Sequence, residues 1–143
     1  MNKKNVNTRK INLQEIKELV INVFQNQGCD IPNANALANT IVSAEQDGSS
    51  SHGLFRVPGY VASLQSGKVN GKSSPKVEHQ TPVILKCNSD NGFASYSHEI
   101  ALPMLVEAAK INGIAALSIT GCYHFAALWP ETEFLANENL VGL

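Results

Sequence analysis

The sequence is poor in the features that announce whole classes of protein. It has three cysteines, Cys29, Cys87 and Cys122, widely spaced and without a CxxC pair. Neither a zinc site nor a disulfide framework is indicated, and a reducing cytoplasm is the expected compartment. No apolar run approaches the ~20 residues that span a bilayer, and no apolar signal region follows the basic start Lys3, Lys4, Arg9 and Lys10. A formal net charge of −1 removes any general electrostatic case for nucleic acid or an anionic membrane. There is no GxGxxG, no GxxxxGK[ST] and no GxSxG. A Rossmann fingerprint, a P-loop and a nucleophile elbow are therefore absent. No internal repeat or low-complexity tract is visible.

What is there reads as a soluble globular protein: 143 residues, 43% hydrophobic and 16% charged, enough for one domain with a real core. Residues 1–11 carry no periodic apolar pattern and are expected to be a disordered tail. Asn12 has the character of an N-cap, with Glu15 at the capping-box position. Leu13, Ile16, Leu19, Val20, Val23 and Phe24 form a stripe at helical spacing, and Gly28 is a stop. A second helix is expected from about Pro32 to Asp47, with Leu37, Ala38, Ile41, Val42 and Glu45 setting its faces. A third starts near Pro58 and ends at Gly67.

Lys76–His79 and Val83–Cys87 read as strands, separated from a fourth helix, Ser97 to Asn112, by the turn signal Asn88-Ser89-Asp90-Asn91-Gly92. Ile114–Ile119 is a continuous apolar run suited to a buried strand. A further helix follows Pro130, with Phe134 and Leu135 facing inward. Leu140-Val141-Gly142-Leu143 has the character of the first residues of another buried strand. The whole is mixed α/β, and a longer parent protein is the expectation.

The chemistry concentrates in Ser51-His52-Gly53-Leu54-Phe55-Arg56. Arg presents a planar fork that matches a carboxylate. His gains and loses a proton near neutrality. Four residues apart, the two can converge on one small anion, either on one helical face or at the start of the Pro58 helix. The bland alternative is a loop-capping His52 and an Arg56 paired with a surface carboxylate. Ser51 beside His52 suggests an orienting hydroxyl rather than a nucleophile, since adjacent side chains rarely achieve nucleophile–base geometry. A second segment, Thr120 to Trp129, follows the apolar strand, where ligands often bind. Gly121 and the pair Ala126-Ala127 would allow close approach of a ring or phosphate, and Tyr123, Phe125 and Trp129 could flank a flat ring. An aromatic cluster packed under a helix explains the same residues. His79 and His98 have no partner at ligand spacing, and Asp47 and Asp90 read as turn residues.

In order along the chain, these landmarks resemble the malate/L-lactate dehydrogenase-like family of NAD(P)-dependent oxidoreductases, which is unrelated to the Rossmann lactate dehydrogenases. The landmarks are Asp47 through Ser51-His52-Gly53 to Arg56, then Tyr60, Leu64 and Gly67, Asp90-Asn91-Gly92, Ala108-Ala109-Lys110 to Gly113, and His124-Phe125. The resemblance covers roughly residues 12 to 143 and less than half of a typical family member. It implies a helical N-terminal subdomain at 12–73 and, at 74–143, the start of an αβ cofactor-binding domain whose C-terminal part is missing.

The resemblance further implies hydride transfer between NAD or NADP and a small 2-hydroxy, 2-oxo or imino carboxylic acid. His52 would be the acid/base, Ser51 part of its relay, and Arg56 the substrate-carboxylate ligand. His124, Phe125, Ala126, Ala127 and Leu128 would form part of the cofactor site. The family's relay aspartate would lie beyond residue 143, and the full-length protein would be a homodimer. Two departures stand out: Gly121-Cys122-Tyr123 precedes His124 where the family is small and polar, and Ala126 replaces a glycine. The competing reading is a catalytically incomplete piece that acts at most as a structural or dimerisation module.

Overall fold

In the computed structural model, residues 10–124 and 126–143 are described. The expected tail at 1–11 therefore falls almost wholly outside them, as does Phe125. The N-terminal part is helical for local reasons. Helix α1 (Leu13–Asn26) opens on a complete capping box: the Glu15 N–H donates to Asn12 Oδ1 at 2.8 Å, and the Asn12 N–H donates to Glu15 Oε2 at 2.9 Å. Helix α2 (Ile31–Gln46) is capped by Asp30, whose carboxylate accepts the Asn33 N–H, with Pro32 in its first turn. A 3-10 turn (Leu54–Arg56) leads directly into α3 (Val57–Gln65). The α1 stripe buries Ile16, Val20 and Phe24 against Leu37, Ala38 and Ile41 of α2 and Tyr60 of α3. Val69 and Phe93 close this core from the loops beyond.

Strands β1 (Lys76–Thr81) and β2 (Ile84–Asn88) pair antiparallel, with a register shift between His79 and Thr81. The turn after β2 places Asp90 and Asn91 at φ 52° and 56°, the left-handed region that Asn and Asp tolerate best. Helix α4 (Ala94–Asn112) ends at Gly113, with φ 82°. It crosses over to β3 (Ala116–Thr120), which lies parallel to β2 in the order β1-β2-β3. Leu85 and Cys87 point from β2 into the interior and are fully buried. Helix α5 (Trp129–Asn137) follows. The mixed α/β class is as expected.

Four local expectations are corrected. Helix α4 starts three residues before Ser97, because Phe93 enters as an N-cap with no capping side chain to mark it. Strand β3 is half-buried at best, alternating with exposed positions, since among the described residues only β2 flanks it. On α5, Phe134 is 36% exposed on the lip of a groove, and residues 140–143 form no strand, with Val141 90% exposed. No helix among the described residues is long and apolar enough to cross a membrane.

Candidate active site

His52 lies in the loop between the C-terminus of α2 and the 3-10 turn. Its N–H donates to the Ser49 carbonyl at 2.8 Å. On the side chain, Nδ1 lies 3.0 Å from Ser51 Oγ and 3.4 Å from Ser49 Oγ. A serine hydroxyl can donate to Nδ1 or accept from it, according to the tautomer of the ring. Ser51, expected as an orienting hydroxyl, is in that position, and Ser49 is a second one that spacing did not single out.

The loop is fastened from below by Glu45. This side chain of α2 accepts the Leu54 N–H at 2.7 Å. It passes so close to Gly53 that a Cβ there would stand 2.0 Å from Glu45 Oε1. A side chain at residue 53 would therefore force the Glu45 carboxylate out of its place under the loop. Sequence reading placed Glu45 only on a helix face; its one signal was an acidic residue in register with the apolar positions of α2.

Arg56, at the end of the 3-10 turn, is half-buried and donates through Nε to the Ser51 carbonyl at 2.9 Å. That bond ties the cation to the same loop as His52 and leaves the terminal nitrogens for other partners. Among the described residues no carboxylate forms an ion pair with Arg56, so its surface-ion-pair alternative is not met.

Residues 121–124 and 126–128 return past the ends of the parallel strands β2 and β3 to the same place. The Tyr123 N–H donates to the Gly92 carbonyl at 2.8 Å, and Phe93 and Tyr123 form an isolated parallel bridge. His124 has φ 50°, an uncommon conformation for a residue with a side chain. Its Nδ1 lies 3.4 Å from the hydroxyl of buried Tyr60, and the two rings meet edge to face at 5.3 Å. Partial enclosure pushes the His124 imidazole below the ordinary histidine range, and the positive charges of Arg56 and His52 push it further. Those charges reach His124, so the histidines and the arginine, far apart in sequence, share one electrostatic neighbourhood. Burial raises the Tyr60 phenol, with Arg56 acting against the rise.

The aromatic residues of this segment divide. Tyr123 packs inward on Phe93 at 6.2 Å between centroids and receives the Ser63 hydroxyl at 3.3 Å. It belongs to the cluster of Phe24, Tyr60 and Phe93, as the packing alternative held. Trp129 turns the other way, meeting the His52 ring edge to face at 5.8 Å. Ala127 is buried, Ala126 half-buried, and Leu128 is 63% exposed. Phe125 lies outside the described residues.

Elsewhere, a groove of about 350 Å³ between α2, α4 and α5 is lined by Thr40, Ser95, His98, Leu102, Glu131 and Phe134, apart from His52 and Arg56. There His98 Nδ1 pairs with Glu131 Oε1 at 2.5 Å, so His98 has a structural partner. His79 is exposed on β1. Among the described residues no group of three or more His, Cys, Asp or Glu side chains is placed to hold a metal.

The chain is 41% identical over 133 residues to a Δ1-pyrroline-2-carboxylate reductase of Burkholderia ambifaria, covering 93% of this chain and 39% of that protein. It is 40% identical over 136 residues to a Δ1-pyrroline-2-carboxylate/Δ1-piperideine-2-carboxylate reductase of Pseudomonas syringae pv. tomato, covering 95% and 40%. The crystal structure of a Δ1-piperideine-2-carboxylate reductase from Pseudomonas syringae superposes with a TM-score of 0.88 at 39% identity, over 92% of this chain and 40% of that one. Sulfolactate dehydrogenase from Methanocaldococcus jannaschii superposes at 0.82 with 25% identity, over 89% and 37%. The chain therefore spans about 40% of the length of the relatives it matches. The profile of the malate/L-lactate dehydrogenase family matches residues 11–143, and the chain belongs to that family.

Proposed function

We propose that this chain supplies the acid/base and the substrate-carboxylate ligand of a nicotinamide-dependent reductase acting on small cyclic 2-imino acids of the Δ1-pyrroline-2-carboxylate kind. The observation that carries the reading is one loop holding both groups. His52 has Nδ1 against serine hydroxyls, and Arg56, tied to the same loop through Ser51, has no carboxylate partner among the described residues. The names of the most similar relatives favour the cyclic imine over an open 2-oxo acid.

The residues present fit part of a nicotinamide cofactor's site. Segment 121–128 brings no carboxylate, small side chains at Ala126 and Ala127, and an imidazole at His124 held toward its neutral form. A neutral imidazole both donates and accepts, as does a carboxamide. NAD or NADP, when bound, supplies the hydride that reduces the C=N carbon.

The chain's own residues do the rest. Arg56 grips the carboxylate through its terminal N–H groups and so fixes the adjacent carbon. The protonated imidazole of His52 gives a proton to the imine nitrogen as the carbon accepts hydride, which leaves the ring neutral, and takes it back in reverse. Ser51 and Ser49 engage Nδ1 and so leave Nε2 as the nitrogen that exchanges the proton.

The test is NAD(P)H oxidation by the protein that contains this chain, offered Δ1-pyrroline-2-carboxylate, open 2-oxo acids, and each cofactor in turn. Turnover that His52→Ala abolishes supports the reading. Normal turnover in His52→Ala overturns it. Sedimentation of the same protein tests the proposed homodimer, and its fractionation the proposed cytoplasmic location.

A further inference from the structure

Two residues that the proposed chemistry leaves unused meet at the His52 loop. Asp47 is the C-cap residue of α2, and Trp129 is the first residue of α5. They are 82 positions apart, yet the Trp129 indole Nε1–H donates to Asp47 Oδ2 at 2.7 Å. The same indole meets the His52 ring at 5.8 Å between centroids, with 78° between planes. His52 is also touched, at Nδ1, by the hydroxyls of Ser51 and Ser49.

We propose that the Asp47–Trp129 hydrogen bond is a strap that sets the orientation of the His52 imidazole, and that Trp129 is thereby a positioning residue for proton transfer. The inference rests on His52 acting as the acid/base. An imidazole hinged on two torsions needs contacts on more than one side to hold Nε2 in line with a reacting atom, and a small misplacement is costly in rate. The serine hydroxyls fix one ring nitrogen and leave rotation about that contact free. The indole removes the rotation, because its own ring is held at both ends: by the helix it begins and by the carboxylate it donates to. Indole N–H is a donor only and Asp47 an ionised acceptor, so the bond is of the stronger charge-assisted kind. Asp47 is exposed, so changing it leaves the core untouched.

The strap predicts a pattern that packing alone would not produce. Trp129→Phe keeps a ring and loses the N–H; Asp47→Ala loses the acceptor; Asp47→Asn keeps an acceptor oxygen. In the complete enzyme, Trp129→Phe and Asp47→Ala should each lower kcat by about tenfold, the size of effect expected when one such bond is lost, with little change in KM. The double variant should fall no further than either alone, and Asp47→Asn should restore most of the rate. In the same proteins, nuclear Overhauser contacts between His52 and Trp129 ring protons should be strong in wild type and weakened in Asp47→Ala.

Three results would overturn the proposal: additive losses in the double variant, a rise in KM with kcat retained, or contacts unchanged in Asp47→Ala. The second would put the indole against substrate instead. Absence of turnover in wild type with the ring contacts intact would sink the reductase reading and the positioning role with it, and leave the strap as a structural feature. The ring contacts thus separate failure of the geometry from failure of the chemistry.

Discussion

Replacing Gly53 by Ala tests how the His52 loop is held. A Cβ at that position would stand 2.0 Å from Glu45 Oε1, 2.6 Å from Cδ and 2.9 Å from Cγ. The whole outer half of the Glu45 side chain must move, and its hydrogen bond from the Leu54 N–H at 2.7 Å is then lost. A hydrogen bond to a charged group contributes about 1.5–3 kcal/mol. The stiffer unfolded chain of the alanine variant returns about 0.4–1 kcal/mol. The net loss expected for Gly53→Ala is about 1–2 kcal/mol. Glu45→Ala removes the same bond without a clash and should cost about 1.5–3 kcal/mol. Because both changes act through one interaction, the double variant should be no less stable than Glu45→Ala alone, a coupling of about 2 kcal/mol. Urea unfolding followed by circular dichroism measures this as shifts in the midpoint at constant slope. Additive losses, or an unchanged midpoint in Gly53→Ala, would refute the argument that Glu45 is what excludes a side chain at residue 53.

Arg56→Lys in the complete enzyme keeps the charge but loses the fork and the Nε bond to Ser51, so KM for the carboxylate substrate should rise about tenfold or more, equivalent to about 1.4 kcal/mol; steady-state kinetics against Arg56→Ala measures it. In native protein, Cys122, half-buried, should react with a thiol reagent while Cys29 and Cys87 do not, since both are buried and burial pushes the Cys29 thiol up to about 11. Mass spectrometry after brief alkylation should find one label, and three after denaturation. His124 sits below its ordinary value of about 6.5, so the unfolded chain takes up a proton that the folded one refuses. Stability is then fully present above the ordinary value and is lost as pH falls through the folded one; His124→Gln should flatten the unfolding midpoint across that window.

Local sequence signals settled local structure. Asn12 and Glu15 are three residues apart and cap α1 as a pair that can be read directly. Asp90 and Asn91 mark the turn after β2 because their short polar side chains tolerate positive φ, and Gly113 ends α4 for a related reason. Where the deciding contact is distant, the sequence was silent. Glu45 reaches Leu54 across nine positions, and Asn33 bonds the Ser73 carbonyl across forty. Trp129 reaches Asp47 across eighty-two. Periodicity could place Trp129 at the start of a helix, but only tertiary packing separates it from Tyr123, which turns into the core. Strand β3 misled in the opposite way: its apolar run reports an environment with cover on both faces, which the described residues supply only in part.

The electrostatics around His52, Arg56 and His124 follow from the same convergence. Arg56 brings a guanidinium to this neighbourhood. Its field, with that of His52, holds His124 toward the neutral form, while enclosure against Tyr60 works in the same direction. The arrangement therefore disfavours a second cation beside Arg56. A second fixed cation would attract the substrate anion more strongly, but it would do so equally before and after proton transfer, which lowers KM without helping the chemical step. A neutral His124 is instead free to hydrogen-bond in either sense. On the proposed reading, then, the anion is assigned to Arg56, the mobile proton to His52, and the uncharged polar contact to His124. Three residues from two separate loops divide the work by protonation state, and Tyr60, buried between Phe24 and Phe93 with its hydroxyl at His124, is the link by which the helical core holds the second loop against the first.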